Sequence, residues 1–485
     1  MSNSARFDLV VIGAGPAGQK AAVQGAKAGA SVAVVEQLRD VGGACVHTGT
    51  IPSKALREYA LLRLAAARSR ELDMSAAEPQ ADDNFQVPLG TLLRGVQDVI
   101  AAHDRFMADQ LRRNAVTVVR GRAQLVACDQ VDVTGLNGQH TRLQARRIVI
   151  ATGSRPRAPQ GLAPDHEHIL DSDSILSLTY LPRSLLVIGG GVIACEYASM
   201  FASLGCKVTQ LDRHERPLGF IDAELTDYYL GSLAQHASCF LPAAQAVELR
   251  RDGPASVLAR LDDGRELRAD KALVAQGRRA NVEALGLDAL GIKLNAHGFI
   301  TVNGELATSV AGIYAAGDVI GPPSLASAAM EQGRRAACHA LGLAPGESTE
   351  VIPTGVYTIP EIASVGLSEG EARAHFGAAL VGRARFDEVA RGQIAGAQQG
   401  LLKLVADAGG RKVLGAQIVG NGAADLVHLA QLGLAADLDV NAYVENIFNF
   451  PTMAEAYRVA ALDIAKQRAA ASQPSDALEA AASVL

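Results

Sequence analysis

The sequence lacks three features that would place the protein in a specialised class. Its six cysteines lie at positions 45, 128, 195, 206, 239 and 338 without close pairing, which indicates reduced thiols rather than a disulfide framework. No apolar stretch approaches the roughly 18 residues that a membrane span requires, and the run at 9–12 is too short for a signal peptide. The formal charge of −6 gives no reason to expect a nucleic acid or an anionic membrane as partner. We therefore expect a cytoplasmic protein, and we predict no metal site.

A glycine pattern typical of dinucleotide-binding proteins is present twice. The first copy joins a predicted strand at 7–12 to the turn at 13–18, a helical stretch, and a strand at 31–35 followed by Glu36. The second joins a strand at 185–188 to the turn at 189–194 and a strand at 208–211 followed by Asp212. The first glycine and the final acid are 23 residues apart in both copies (13 to 36, 189 to 212). One copy is a weak signal, but two βαβ units with the same offset predict two nucleotide-binding domains.

The residues of the first copy each suit one part of a bound dinucleotide. Gly13 permits the tight turn, Gly15 lets the backbone approach a pyrophosphate, and Gly18 lets the helix pack closely on the strand. The N-terminus of the helix supplies N–H groups and partial positive charge to the phosphates. Glu36 is placed to accept hydrogen bonds from the adenosine ribose. The alternative is an ordinary glycine turn followed by a solvated acid.

The second copy suits a nicotinamide dinucleotide, and the residues after its strand decide which one. Its three fingerprint positions are held by small residues, namely Gly189, Gly191 and Ala194. Asp212 can bind a ribose diol, which favours NAD(H), whereas the guanidinium of Arg213, with Arg216 close by, can bind the 2′-phosphate of NADP(H). The presence of both charges predicts that either nucleotide is accepted. The alternative is a charged turn with no role in binding.

The segment at 42–54, GGACVHTGTIPSK, resembles the redox-active segment of the flavoprotein disulfide reductases. The resemblance covers nearly the whole chain, up to about residue 467. It implies that the first dinucleotide is FAD, and that the segments at 151–156 and 316–318 return to the FAD domain. The further residues that it assigns to cofactor binding are Gly43, Lys54, Thr152, Gly153, Gly277 and Asp318.

The same resemblance shows which catalytic groups are retained and which are replaced. Lys54 corresponds to the lysine beside the flavin, which pairs with a glutamate at the position of Glu196. A positive charge there stabilises the anionic reduced flavin. In the disulfide reductases a second cysteine, the partner of Cys45, stands where this chain has Thr50. Both parts of the thiol half-reaction are affected, because the histidine that acts as acid–base catalyst is replaced as well.

That histidine position is occupied here by Phe450, while the glutamate that would orient it is kept as Glu455. The patterns GGACVHTGTIPSKALR and NFPTMAEAYRVAAL resemble the Si-specific soluble pyridine nucleotide transhydrogenases, in which the threonine and the aromatic residue are usual. This resemblance implies hydride transfer between NAD(H) and NADP(H) by a ping-pong mechanism through flavin N5. It assigns catalytic positions to Lys54, Glu196, Thr50 and Cys45. An NAD(P)H:quinone or dye reductase and a non-catalytic flavoprotein sensor are the alternatives.

We predict an α/β protein with two Rossmann-like dinucleotide-binding domains and an α+β C-terminal interface domain, forming a homodimer or a larger homo-oligomer. The predicted segments are an FAD-binding domain at 1–157, an NAD(P)-binding domain at 158–281, a second FAD-binding or central part at 282–350, a dimerisation domain at 351–467 and a flexible tail at 468–485. A polar insertion is expected at 72–86, between predicted helices.

Overall fold

The structure is a computed structural model that describes residues 4–72, 89–347 and 351–471. Apart from Leu72, the predicted insertion at 72–86 lies outside these residues, as does the predicted tail beyond Ala471. The chain divides into two units: unit 1 is Met1–Ile188 with Ala246–Glu347, and unit 2 is Gly189–Gln245 with Ser348–Leu485. The division between Ile188 and Gly189 falls within the second predicted βαβ unit.

The strands of the described residues, in chain order, are β1 Ser4–Ile12, β2 Val32–Glu36, β3 Thr117–Arg120, β4 Arg122–Ala127, β5 Gln130–Thr134, β6 His140–Ile150, β7 Ser154–Pro156, β8 Ile169–Leu170, β9 Ser184–Ile188, β10 Lys207–Leu211, β11 Cys239–Leu241, β12 Ala246–Arg251, β13 Val257–Leu261, β14 Glu266–Ala269, β15 Lys271–Val274, β16 Arg278–Ala280, β17 Ile313–Ala315, β18 Thr354–Val356, β19 Ile362–Gly366, β20 Ala379–Arg385, β21 Leu401–Asp407 and β22 Val413–Val419.

The helices of the same residues are α1 Pro16–Lys27, α2 Gly43–His47, α3 Thr50–Leu72, α4 Leu89–Arg113, α5 Val192–Ser203, α6 Ala223–Gln235, α7 Leu287–Leu290, α8 Ala326–Leu341, α9 Glu369–Phe376, α10 Ala390–Ile394, α11 Ala423–Ala435, α12 Val440–Glu445 and α13 Glu455–Ala471. Short 3₁₀ turns lie at Ile175–Ser177, Asp318–Ile320 and Phe386–Glu388. None of the described helices is long and apolar enough to cross a membrane.

The main sheet of unit 1 carries the first glycine pattern. Its strand order is β3-β2-β1-β6-β5-β4, and β17 pairs with β6. Strands β1, β2, β3, β6 and β17 are parallel where they pair, so β1, β2, β6 and β17 end at one edge of the sheet. Strand β2 reads Val-Ala-Val-Val-Glu and is buried throughout, as expected for a central parallel strand covered on both faces. Ligands of open parallel sheets bind beyond the carboxyl ends of such strands.

Smaller sheets complete unit 1. Strands β12, β13 and β14 form an antiparallel three-stranded sheet, and β16 pairs antiparallel with β7. Strand β15 pairs in parallel with both β8 and β9. Helix α8 packs closely on α1, because Gly333 has no side chain: a Cβ there would lie 1.9 Å from the carbonyl oxygen of Ala17.

Unit 2 combines the second glycine turn with an antiparallel sheet. Strands β10 and β11 are parallel, and α5 and α6 belong to the same part of the chain. The second sheet has the order β18-β19-β22-β21-β20 and is covered by α11 and α13. Its core is built around Phe386, Tyr443 and Tyr457, the last two stacked with ring centroids 5.3 Å apart.

Candidate functional site

The first glycine turn is formed as the sequence predicts, and two close backbone approaches require glycine at positions 13 and 18. Gly13 has φ +103°, and a Cβ there would lie 2.3 Å from the carbonyl oxygen of Ala151. A Cβ on Gly18 would lie 1.9 Å from the Gly13 carbonyl oxygen. Gly15 precedes α1, whose first residue is Pro16 and whose N-terminus no side chain caps. The N–H groups of this helix end are therefore directed toward an external acceptor, as in a phosphate site.

A second glycine loop lies against this turn. The first residue of α2, Gly43, approaches Gly15 so closely that a Cβ on Gly43 would lie 3.0 Å from the Gly15 Cα. Gly42, directly before α2, and Gly43 both have positive φ, at +108° and +60°. Two backbone segments without side chains therefore lie side by side at the N-terminus of α1.

Glu36 lies at the end of β2 and is almost fully buried. Its Oε2 accepts a hydrogen bond from the Ala14 N–H at 2.8 Å, and its Oε1 accepts one from the Leu38 N–H at 2.9 Å. The carboxylate is thus held at the glycine turn by two backbone donors. A carboxylate has about four acceptor positions, so it can still accept hydrogen bonds from a ribose diol.

Four side chains predicted around the flavin come together in unit 1. The Thr50 hydroxyl hydrogen-bonds the sulfur of Cys45. Partial burial raises the pKa of the Cys45 thiol, against the opposing effects of that hydrogen bond and of the positive charge of Lys54. The charge of Asp318 also reaches the sulfur. Since the thiolate is the nucleophilic form, the raised pKa makes Cys45 a poor nucleophile.

Asp318 is fixed by a chain of polar contacts that joins distant parts of the sequence. Its Oδ2 accepts a hydrogen bond from the Ser154 hydroxyl at 2.7 Å. Arg278 in turn donates from Nε to the same hydroxyl and from Nη2 to the Ser154 carbonyl oxygen, both at 2.8 Å. Next to Arg278, Gly277 has φ +95° and accepts at its carbonyl oxygen from the Arg157 N–H.

Thr152 and Gly153 lie in the turn after β6. The Thr152 hydroxyl donates to the carbonyl oxygen of Asn281 at 2.7 Å, and the Asn281 amide donates back to the Thr152 carbonyl oxygen at 2.9 Å. Gly153 has φ +70°. The three fixed segments, at 13–18, 151–154 and 316–318, are brought to the same edge of the sheet by β1, β6 and β17.

Asp173, which belongs to no sequence motif, lies in the same neighbourhood. Its carboxyl group hydrogen-bonds Thr48, on the loop between Cys45 and Thr50. Burial raises its pKa, against the lowering effect of the Arg278 guanidinium. The Oδ1 atom is buried and has no hydrogen-bond partner among the described residues. Only its closeness to Thr48 in space distinguishes this residue, and no spacing in the sequence could have shown that.

The second glycine turn, in unit 2, has the same local geometry as the first. Gly189 has φ +133°, and its N–H donates to the Leu211 carbonyl oxygen at 2.8 Å. Gly191 precedes α5, and no side chain caps this helix end either. Ala194 is fully buried in α5. A Cβ on Gly190 would lie 3.0 Å from the Cβ of Asp212, so the missing side chain leaves room for that acid.

The two arginines of the charged turn after β10 differ in their hydrogen-bond partners. Arg216 donates to the Thr226 hydroxyl and to the Ala223 carbonyl oxygen, and it pairs with Asp227 at the start of α6. Arg213 is exposed and makes no hydrogen bond or ion pair within the part of the chain that the structure describes. Of the two, Arg213 is therefore the one available to an external phosphate.

Glu196, in α5, is buried, and its Oε1 accepts a hydrogen bond from the Tyr357 N–H at 2.8 Å. Glu455 begins α13, and its Oε2 accepts from the Thr452 N–H at 3.3 Å. Phe450 is 69% exposed. The glutamate that would orient a histidine is thus held by the backbone, while the neighbouring position carries an apolar ring.

Comparison with known proteins identifies the family. The family model for pyridine nucleotide-disulphide oxidoreductases matches residues 7–333, and the dimerisation domain of the same family matches residues 352–461. The chain belongs to the pyridine nucleotide-disulphide oxidoreductase family. It is an oxidoreductase and a flavoprotein, and the family's dimerisation domain is among its matched segments.

Relatives of this oxidoreductase match it over almost their entire length. A soluble pyridine nucleotide transhydrogenase from Marinomonas sp. (strain MWYL1) is 40% identical over 94% of this chain and 98% of its own. One from Mycobacterium tuberculosis (strain ATCC 25177 / H37Ra) is 41% identical over 96% of this chain and 99% of its own. The crystal structure of LpdA from M. tuberculosis matches with a TM-score of 0.86 and 28% identity, covering 94% of this chain and 99% of LpdA.

The predicted α/β fold with Rossmann-like domains is confirmed by these matches, as is the resemblance carried by the motifs. The predicted cofactor is confirmed too, because this family is FAD-dependent and uses NAD(P)H. The first glycine turn fits FAD on geometric grounds: Gly13, Gly15 and Gly43 leave bare backbone at an uncapped helix N-terminus. All six cysteines lie among the described residues, and no two of them are joined in a disulfide.

Proposed function

We propose that this oxidoreductase is an FAD-dependent NAD(P)⁺ transhydrogenase, which moves hydride between NADH/NAD⁺ and NADPH/NADP⁺ without a redox-active disulfide. The observation that carries the proposal is the contact between Cys45 and Thr50, where a hydroxyl occupies the place of a second sulfur. The transhydrogenase names of relatives at 40–41% identity over nearly their full length support the same activity.

FAD, when bound, would supply a hydride carrier at N5 that works in both directions, which allows the two nucleotides to be used in turn by a ping-pong mechanism. The chain binds the cofactor with Gly13, Gly15, Gly18 and Gly43 around the pyrophosphate and Glu36 on the ribose. Thr152, Gly153, Asp318 and Gly277 complete this set through the polar contacts that fix their segments.

Lys54 acts by its charge. A fixed ammonium beside the flavin favours the anionic reduced form and raises the reduction potential. Glu196 is given a catalytic role by the resemblance to the flavoprotein disulfide reductases alone. Thr50 and Cys45 line the cofactor without forming a bond to it, since the raised pKa keeps the thiol protonated.

The second turn selects the nicotinamide nucleotides. Gly189, Gly191 and Ala194 let the pyrophosphate approach the start of α5. Asp212 accepts hydrogen bonds from the ribose diol of NAD(H), and Arg213 donates to the 2′-phosphate of NADP(H). Hydride transfer between two nicotinamides of the same chemistry needs no proton shuttle to a thiol, which agrees with Phe450 at the histidine position.

We further propose a homodimer, built through the dimerisation domain at 352–461, as the smallest complete assembly. Exposed apolar side chains in unit 2 support it: Leu432 is 69% exposed, Ile447 94% and Phe450 69%. Surfaces of this kind mark protein–protein contacts. The cytoplasm is proposed as its location, in keeping with the word soluble in the names of the relatives.

The experiment is hydride transfer from NADPH to thio-NAD⁺ with the FAD-loaded protein, under anaerobic conditions and with quinone absent. Thio-NADH should form in amounts equal to the NADPH consumed, and double-reciprocal plots at several fixed NADPH concentrations should be parallel. The FAD-free protein is the control and should give no thio-NADH.

A quinone or dye reductase would give a different pattern. NADPH would reduce the flavin, but thio-NADH would not accumulate, and turnover would appear only after menadione is added. A sensor would bind nucleotide with no turnover in either assay. Either result would overturn the transhydrogenase proposal.

A further inference from the structure

The nucleotide-selecting turn after β10 contains a histidine that touches the selecting acid. His214 Nδ1 lies 2.5 Å from Asp212 Oδ1, and the His214 backbone N–H donates to the same oxygen at 2.9 Å. An ionised carboxylate only accepts hydrogen bonds, so the imidazole nitrogen at this distance carries the proton. The second carboxylate oxygen, Oδ2, is left for another donor.

The position of the acid is fixed on several sides. Gly190 leaves it room at the glycine turn, the Ala244 N–H donates to the Asp212 carbonyl oxygen at 2.8 Å, and the Ala243 N–H donates to that of His214 at 3.1 Å. The Asp212 side chain is 15% exposed, whereas that of His214 is 65% exposed. The carboxylate is therefore held in place, and the imidazole covers it from the solvent side.

Few other charges face this pair among the described residues. On the same turn are Arg213 and Glu215, both exposed, and Arg216, which is bound to α6 through Thr226 and Asp227. The segment at 241–245, which packs on the turn, reads Leu-Pro-Ala-Ala-Gln and carries no charge. The glycine turn at 189–191 carries none either. The imidazole is thus the group closest to Asp212 that can change its charge.

We propose that His214 is a specificity-determining residue, whose pairing with Asp212 allows this turn to accept a 2′-phosphate beside a carboxylate. When the imidazole is protonated, the pair has no net charge and does not oppose the attraction of Arg213 for the phosphate. When the imidazole is neutral, the pair carries the full negative charge of Asp212, which repels the phosphate but still accepts from a ribose diol. This inference rests on the proposed nicotinamide-nucleotide site.

A dependence on pH follows, because protonation of the imidazole changes the net charge of the pair. Preference for the 2′-phosphorylated nucleotide should be highest in mildly acidic solution and should fall as the pH rises. The 2′-phosphate itself loses its second proton near pH ~6. A variant without the imidazole is therefore needed to separate the contribution of the ligand from that of the protein.

The test is binding of 5′-AMP and 2′,5′-ADP to the FAD-loaded protein, measured by calorimetry at about pH 6 and about pH 8. These probes carry the distinguishing phosphate but no nicotinamide, so hydride transfer plays no part. The ratio of the two dissociation constants is compared in the wild type and in His214→Gln. From about pH 6 to about pH 8 the preference for 2′,5′-ADP over 5′-AMP should fall about two- to fivefold more in the wild type than in His214→Gln. This is the size of effect expected for an exposed ion pair.

Two control variants define the effect. His375→Gln removes an exposed histidine of α9, outside the turn, and should behave as the wild type. Glu215→Gln removes a charge from the same turn but leaves the His214–Asp212 contact, so it should change the ratio by one factor at both pH values. Thermal unfolding of each variant confirms that it is folded.

An equal change of the ratio with pH in the wild type and in His214→Gln would overturn the inference. Failure of both probes to bind would overturn it as well, together with the assignment of the turn. If both probes bind with the expected pH dependence but thio-NADH does not form, the inference stands and the transhydrogenase proposal fails.

Discussion

At position 50 a hydroxyl stands beside the Cys45 sulfur, where the resemblance to the disulfide reductases places a second sulfur, so the proposed mechanism uses no disulfide. Cys45→Ser should retain activity within about threefold of the wild type, because the protonated thiol contributes only packing and one weak hydrogen bond. The measurement is the rate of NADPH to thio-NAD⁺ transfer together with the FAD content. A loss beyond about a hundredfold with FAD still bound would reveal a chemical role for the sulfur.

Thr50→Cys tests the same contact from the other direction. Since the Thr50 hydroxyl already touches the Cys45 sulfur, a bridge should form on oxidation, and its reduction should give a long-wavelength thiolate–flavin band. Dihydrolipoamide and glutathione reductase activities should remain negligible, because Phe450 cannot shuttle a proton. The double variant with Phe450→His should recover part of a factor of about 10²–10⁴. Strong thiol reductase activity in the single variant would contradict this account of Phe450.

The two arginines of the nucleotide-selecting turn form a matched pair for a selectivity test. Arg213→Ala should raise the KM for NADPH about tenfold or more and leave that for NADH nearly unchanged, because a charged hydrogen bond to phosphate contributes roughly 1.5–3 kcal/mol. Arg216→Ala should leave selectivity intact, since its guanidinium is bound to Thr226 and Asp227. The measurement is the KM of each variant for NADPH and for NADH in steady-state kinetics. A similar effect of both variants on NADPH would mean that Arg216 turns to the ligand.

At the scale of elements, α6 begins in a buried ionic cluster. Lys403 on β21 is 1% exposed, and its Nζ lies 2.7 Å from Asp222, 2.8 Å from Glu224 and 2.9 Å from Glu369. Asp222 also caps α6, accepting from the Glu224 N–H. A buried ammonium is tolerated only when it is surrounded in this way by acceptors, so the cluster fixes the start of α6 against the sheet.

Because of this cluster, the free energy of unfolding should depend on pH in the acid range. The hydrogen bond from Arg383 lowers the pKa of Glu224 to about 2. A depressed carboxylate pKa stabilises the folded chain above the ordinary value of about 4.3, and that contribution is lost as the pH falls toward 2. Glu224→Gln should therefore be less stable than the wild type at neutral pH, and the difference should shrink between pH 5 and 2.

Urea unfolding at several pH values measures this difference. The exposed Glu266→Gln on β14 is the control and should follow the wild type at every pH. A constant difference between wild type and Glu224→Gln across the acid range would contradict the assigned role of the ionised carboxylate.

The sequence predicted local elements correctly where a backbone conformation requires glycine. Both glycine turns follow from the positions of Gly13 and Gly189, which need positive φ. Helix α3 begins at Thr50 and carries Pro52 in its first turn, where proline is tolerated because its missing N–H has no partner within the helix. Contacts such as Arg278 with Ser154, 124 residues apart, depend on how strands pair, and no local pattern encodes them.

At the scale of the whole molecule, the motifs predicted the family, the cofactor and the Rossmann-like fold. They did not predict the His214–Asp212 contact, because an exposed imidazole can adopt many rotamers and spacing does not choose among them. They likewise gave no sign of Asp173, whose hydrogen-bond partner Thr48 lies far from it in the sequence. Residues that act through tertiary contacts are the ones that sequence reasoning missed.

Association is the prediction that belongs to this scale. Ile447→Asp should shift the homo-oligomer toward monomer, because a charge would replace an apolar side chain that is 94% exposed in the single chain. Sedimentation velocity over a range of protein concentrations measures the shift. Asp437→Asn, on an exposed loop of the same unit, is the control. Unchanged sedimentation of Ile447→Asp would place the interface elsewhere.

The threonine beside Cys45 also bears on inhibition. Trivalent arsenicals inactivate disulfide reductases by bridging two neighbouring thiols, and alkylating agents do so by attacking an ionised one. In this chain the Cys45 sulfur faces a hydroxyl, and its raised pKa keeps it protonated. We therefore expect neither class of inhibitor to react at this position, and the proposed transhydrogenation to continue at concentrations of these reagents that stop disulfide-using relatives.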